Sequence, residues 1–215
     1  ETQPKAISFH FGIPKAHQIE ALKKAGIITM VSATNLAEAL AIEAAGIDFI
    51  IAQGIEAGGH RGIFNQNIDS GIKTTDLLRL ITENCKIPVI AAGGIGSGSQ
   101  IQELLDAGAC GVSVGTIFIA SEEAPVSKAY KQALVDYTSS DIVLSSKLSG
   151  SPLTVINTPY VQQIGTKAGL LERLMKRHKW MKKYLKMLIF VRGMKKIEKA
   201  AFSATYQSVW VAGPS

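Results

Sequence analysis

Short apolar runs alternate with longer stretches of mixed polarity through the first half of the chain, and glycine marks most of the changes. Ala6-Ile7-Ser8-Phe9, Ile27 to Ser32, Ile47 to Ala52, Ile87 to Ala92 and Cys110 to Val114 are too short for helices. They are rich in β-branched residues and bounded by turn formers, so each predicts a buried strand. Between them the pattern predicts helices from Pro14 to about Ala25, Leu36 to Ala45, about Thr74 to Asn84, and Ser99 to Ala107. Gly26, Gly46 and Gly108 follow three of these as stop signals. Pro14 stands where a helix opens at no cost to its hydrogen bonding.

Three of the four spacings between strand starts are about 20 residues, and the fourth is doubled by a polar, turn-rich stretch from Ile63 to Gly71. Apolar strands alternating with amphipathic helices at this period predict βα units and a parallel α/β sheet. Five such units fit either an open doubly wound sheet or part of an eightfold barrel, and the alternation does not choose between them. In both architectures sites lie at the C-terminal ends of strands, where this chain gathers its glycines and polar residues.

Beyond residue 121 the pattern is less regular. Glu122-Glu123-Ala124-Pro125 predicts the opening of a helix to about Tyr137, and Leu144 to Pro152 a loop or short strand. From Lys167 a long helix is predicted: Leu170, Leu174, Met181, Leu185 and Leu188 form a stripe, with Arg173, Lys176, Lys182, Lys183 and Lys186 turned away. A second helix follows from about Met194 to Ala204. The expected division is therefore 1–160 for the βα units and 161–215 for a helical segment packing on them.

Charge sharpens that division. The net charge of +6 arises from residues 163–215, which hold twelve Lys/Arg against two Asp/Glu; the rest holds 11 against 15. A basic block fits nucleic acid or anionic lipid. Here no aromatic interleaving or recognition motif accompanies the lysines. The reading is an apolar stripe packed on the body with solvated lysines, so no nucleic-acid or membrane partner is expected. An apolar content of 47% with 19% charged residues fits a soluble globular protein. No apolar run approaches the roughly 18 residues of a membrane span, and no secretory signal opens the chain. Glu1 in place of Met, with a strand beginning almost at once, predicts a processed or truncated form. Cys85 and Cys110 form no CxxC and no framework, which predicts two buried thiols in a reducing cytoplasm.

Candidate chemistry concentrates in Gln53-Gly54-Ile55-Glu56-Ala57-Gly58-Gly59-His60-Arg61-Gly62, just after the third predicted strand. Its four glycines allow positive φ and close approach of backbone N–H groups to a ligand. His60 supplies a side chain whose unperturbed pKa lies near neutrality. Gly93-Gly94-Ile95-Gly96 and Gly115-Thr116 follow the last two strands, each ahead of a predicted helix, and form a ready anion site. Barrels commonly hold phosphate in the loops after strands seven and eight. If these are those loops, the chain starts at strand four.

Ser8-Phe9-His10-Phe11-Gly12, Gln53 to Gly62, Ile87 to Gly96 and Gly111 to Phe118, in this order and spacing, resemble the nitronate monooxygenase family. The resemblance covers roughly residues 5–160, and the closing Trp210-Val211-Ala212-Gly213 is similar to the family's tail. It implies a TIM-type (β/α)₈ barrel, with these five units as strands four to eight plus the basic helical segment. The family's first three strands, with a flavin-contacting Pro-Met and Asn region, have no counterpart here. The resemblance further implies FMN as cofactor, a small-molecule nitronate and O2 as substrates, and oxidation to a carbonyl compound and nitrite. By it, His60 is the catalytic histidine, Gln53 and Gly58 contact the flavin, and Gly93, Gly94, Gly115 and Thr116 hold its phosphate with Ser113 close by. Glu56 and Arg61 are expected to fix the loop, and His10 either lines the pocket or is structural. His17 and His178 are expected on helix surfaces. No metal is implied, and self-association is left open. Two alternatives remain: an FMN-dependent enoyl-acyl-carrier-protein reductase, which shares a similar Glu-Ala-Gly-Gly-His segment, and a non-catalytic flavin- or phosphate-binding scaffold whose basic helices bind a polyanion.

Overall fold

The structure, a computed structural model, describes residues 4–65, 70–148, 151–166 and 212–213. In chain order its elements are β1 (Ala6–Phe9), α1 (Ala16–Lys24), β2 (Ile28–Ala33), α2 (Leu36–Ala44), β3 (Phe49–Gln53), β4 (Gly59–His60), α3 (Thr74–Asn84) and β5 (Val89–Ala92). They continue with α4 (Gly98–Asp106), β6 (Gly111–Ser113), α5 (Thr116–Ile119), α6 (Lys128–Asp136), β7 (Ile142–Ser145), β8 (Leu153–Ile156) and α7 (Pro159–Ile164). The two predicted basic helices lie outside the described residues, as does His178.

Five strands form one curled, all-parallel sheet in the order β1-β2-β3-β5-β6. The order never reverses, whereas a doubly wound sheet has a switch point where it does. Strands added in sequence on one side are the arrangement of a barrel, here its α/β half.

The register brings Phe9, Val31, Ile50 and Val89 into line, and one layer on, Ala33, Ala52, Ala91 and Val112. These residues pack against Ile19 of α1, Ala39 and Ile42 of α2, Leu77, Leu78 and Ile81 of α3, and Leu104 of α4. This is the main core, and small side chains in its second layer let the helices lie close to the sheet. The opposite sheet face carries Met30, Phe49, Ile51 and Ile90, each only part-buried. Between β2 and β3, Asp48 accepts hydrogen bonds from the Thr29 backbone N–H (2.8 Å) and hydroxyl (2.6 Å).

Several details depart from the sequence pattern. Helix α1 begins at Ala16 with Lys15 as its cap, the Lys15 N–H donating to Gln18 Oε1 at 2.9 Å, so Pro14 precedes the helix instead of opening it. Helix α6 starts only at Lys128, where Ser127 accepts from the Tyr130 N–H at 3.2 Å. Strands β7 and β8 pair antiparallel, and β8 pairs in turn with β4. Every residue of β8 is buried. Cys85 is buried as expected, but Cys110 is exposed because it sits ahead of β6, at the sheet's open edge. Among the described residues no helix is long and apolar enough to cross a membrane, and no group of three or more His, Cys, Asp or Glu is placed to hold a metal.

Candidate active site

Strand β3 ends at Gln53, and the chain turns through 54–58 before pairing again as β4. Backbones crowd here beyond what a side chain tolerates. A Cβ on Gly54 would overlap Thr74, one on Gly58 would sit 2.6 Å from the Gly213 nitrogen, and one on Gly93 would sit 2.7 Å from the Ala57 nitrogen. Gly93 also has φ +111°, a conformation that L side chains rarely adopt.

The loop is locked by the side chains of Gln53, Glu56 and Arg61. The Gln53 amide donates through Nε2 to the His60 carbonyl (3.1 Å) and accepts at Oε1 from the Gly62 N–H (2.7 Å) and Arg61 (3.3 Å). Arg61 is 1% exposed. Its guanidinium also donates to the Gln53 and Gly54 carbonyls, and its N–H donates to the Pro152 carbonyl at 2.9 Å. Pairing of Gly59 with Thr154 and of His60 with Leu153 completes the clamp. Glu56 works at the other side: one carboxylate oxygen accepts from the Thr74 N–H (2.9 Å) and hydroxyl (3.1 Å). That caps α3, where the N-cap residue Lys73 offers no side-chain cap. Glu56 and Arg61 thus hold the loop through hydrogen bonds.

The His60 side chain is exposed, and its ring meets Phe11 edge-on with centroids 6.0 Å apart. Phe11 also stands edge-on to His10 at 6.3 Å, and His10 Nδ1 lies 2.8 Å from the Ser32 hydroxyl. Phe11 has φ +66°. A bulky residue in that region is strained and needs its surroundings to hold it there.

At the C-terminal ends of β3, β5 and β6 lies a cavity of about 450 Å³, within the usual size range for small-ligand sites. Gln53, Gly58, Gly93, Gly94, Ser113, Gly115 and Thr116 all line it. His60 is not among the lining residues; it reaches the site through its backbone bond to Gln53, which is. Sequence reasoning missed the apolar wall of Ile95, Ile119 and Leu134, and also Gly213. Ile119 and Leu134 carry no signal beyond helix-face periodicity, whereas Gly213 belongs to the closing motif without an assigned role. The helices also back the glycine loops less closely than expected. Helix α4 begins at Gly98, with Ser97 capping the Gln100 N–H, and α5 has four residues. The dipoles of these two helices therefore bear less on the cavity than the sequence pattern predicts.

An in-order parallel sheet with a glycine-lined cavity of small-ligand size at its C-terminal edge defines a (β/α) barrel-type protein. The sequence matches the profile of the nitronate monooxygenase family over residues 1–210, and the chain belongs to that family. The nitronate monooxygenase of Paraburkholderia phytofirmans is 46% identical over 151 residues, 70% of this chain and 41% of that protein. The Pseudomonas aeruginosa nitronate monooxygenase is 44% identical over 70% of this chain and 43% of its own length. The chain thus spans less than half of these relatives. Among solved structures, nitroalkane oxidase from Streptomyces ansochromogenes superposes with TM-score 0.70 and 40% identity, over 75% of this chain and 47% of that one. FabK from Thermotoga maritima superposes with TM-score 0.69 and 27% identity, over 98% of this chain and 60% of that one.

Proposed function

We propose that this chain is the part of a flavin-dependent nitronate monooxygenase that holds the cofactor and one side of the active site. The reaction is oxidation of an alkyl nitronate by O2 to a carbonyl compound and nitrite. One observation carries the reading: seven residues from three strand ends and the loop after β3 converge on a single cavity. FMN suits that cavity. Its phosphate matches the Gly93–Gly94 and Gly115–Thr116 loops, which line the cavity together. Ile95, Ile119 and Leu134 suit the uncharged part. With Nε2 bonded to His60 and Oε1 accepting twice, Gln53 keeps one amide N–H for a ligand.

When bound, FMN supplies the electron chemistry that no side chain here offers. The protein's own work is positioning and proton handling. His60 accepts a proton from a nitroalkane α-carbon, or hydrogen-bonds a nitronate oxygen, from a backbone pinned by Gln53 and β8. The family assignment and the two free thiols support a cytoplasmic enzyme with small-molecule substrates.

The test is nitrite release and O2 uptake by full-length, FMN-loaded protein given propionate 3-nitronate without nicotinamide. Oxidation of NAD(P)H that depends on an enoyl thioester, with no nitrite from nitronate, moves the function to the reductase. A protein that never takes up FMN leaves only a scaffold.

A further inference from the structure

We propose that Ala212–Gly213 is a clasp that closes the cavity and sets the Thr116 hydroxyl as a donor to an anionic ligand oxygen. Ala212 is 2% exposed and forms one apolar cluster with Ala133 and Ile156, with Leu134, Tyr137 and Ile142 packed against it. That anchor drives Gly213 between two loops distant from it in sequence. On one side Gly213 lies against the backbone of Glu56 to Gly58, so close that a Cβ on Gly58 or on Gly213 would overlap the other strand of backbone. On the other side its N–H donates to Thr116 Oγ1 at 3.3 Å, across 97 residues. Thr116, Leu134 and Gly213 line both the main cavity and a hollow of about 50 Å³ behind it, so they are the wall between the two.

The consequence follows from hydroxyl chemistry. A threonine hydroxyl has one proton to give and two lone pairs. With Gly213 N–H occupying a lone pair, the proton is left to donate elsewhere, and the cavity lies on the open side. Gly213 is therefore a positioning residue for the loop after β6. Only glycine serves there, because any side chain would push Glu56 and Gly58 apart.

This inference rests on the FMN reading for its ligand, and the test separates the two. Flavin-free full-length protein is titrated with FMN and with riboflavin by flavin fluorescence, as wild type, Thr116→Val, Thr116→Ser, Gly213→Ala and the double variant Gly213→Ala/Thr116→Val. Thr116→Val and Gly213→Ala are each expected to weaken FMN about tenfold or more, the order of a hydrogen bond to a charged group. Riboflavin affinity should change far less, Thr116→Ser should bind as wild type, and the double variant should be little worse than either single one. Equal losses for FMN and riboflavin, or additive losses in the double variant, overturn the proposal. Amide exchange of the flavin-free protein gives a readout independent of the ligand and of Gly213→Ala folding. Thr116→Val should speed exchange at Gly213 and in the 115–119 segment. Unchanged exchange in Thr116→Val overturns the clasp, whereas faster exchange in Thr116→Val together with a wild type that binds no FMN keeps the clasp and removes the FMN reading.

Discussion

Replacing Gly93 by Ala should cost both stability and cofactor binding, and the structure sets the size of the loss. Gly93 sits at φ +111°, and holding an L side chain in such a region costs about 1–3 kcal/mol. The new methyl would lie 2.7 Å from the Ala57 nitrogen and 3.0 Å from its Cα and Cβ. Those are mostly backbone atoms, which cannot rotate away, and overpacking of this kind costs about 1–3 kcal/mol. Reduced entropy of the unfolded chain returns less than about 1 kcal/mol. The net loss is about 1–5 kcal/mol, which for a chain of this length lowers Tm by roughly 2–20 °C. Thermal melts followed by circular dichroism, without flavin, read this directly. Gly115→Ala is the matched control: its Cβ meets nothing within 4 Å and its φ of −128° is ordinary. That variant should melt as wild type yet bind FMN more weakly, since the methyl occupies ligand space. A Gly93→Ala protein melting within about 2 °C of wild type, or a Gly115→Ala protein destabilised as much as Gly93→Ala, would refute the reasoning.

Three further outcomes are expected. His60→Asn should retain FMN, because the cavity does not include that side chain, and should lower nitronate turnover about 10²-fold or more in steady-state assays; wild-type turnover would remove its role. Arg61→Met should cost about 2–4 kcal/mol in urea unfolding, since the Gln53 and Gly54 carbonyls lose their buried donor. At Asp48, burial pushes the carboxyl pKa up, but the Thr29 hydroxyl and N–H, with the charge of Lys23, outweigh it and hold the pKa below the usual value. A lowered folded-state pKa gives stability that is present above about pH 4 and lost as pH falls through the folded value. Asp48→Asn should therefore be less stable at neutral pH and lose less on acidification, as read by unfolding at pH 7 and pH 3. Parallel pH curves for the two proteins would contradict this.

The sequence alone was enough for the βα rhythm, because a strand or helix of this kind is written in local periodicity and ended by local signals such as Gly26, Gly46 and Gly108. It also singled out Gly93, Gly94 and Gly115-Thr116, since glycine at a strand end marks where backbone must come close to something; Gln53, Gly58 and Ser113 came from the family resemblance, and the apolar wall from neither. What Gly54, Gly58 and Gly93 approach was decided only by the fold: Thr74, Gly213 and Ala57, brought in from other parts of the chain. The alternation left barrel and open sheet undecided and only the family resemblance implied the barrel; physically it lies in the unreversed strand order and not in any one unit. The clamp on His60 was likewise tertiary. Two-residue β4 has no propensity of its own to speak of, and it exists because buried β8 offers partners more than 90 residues away. Arg61 is expected from the sequence to fix the loop, but its partners and its burial are tertiary: it is buried because the carbonyls that turn the chain after β3 need a donor once water is excluded. Contacts of that kind depend on which distant groups lose their water together, and no local pattern records that.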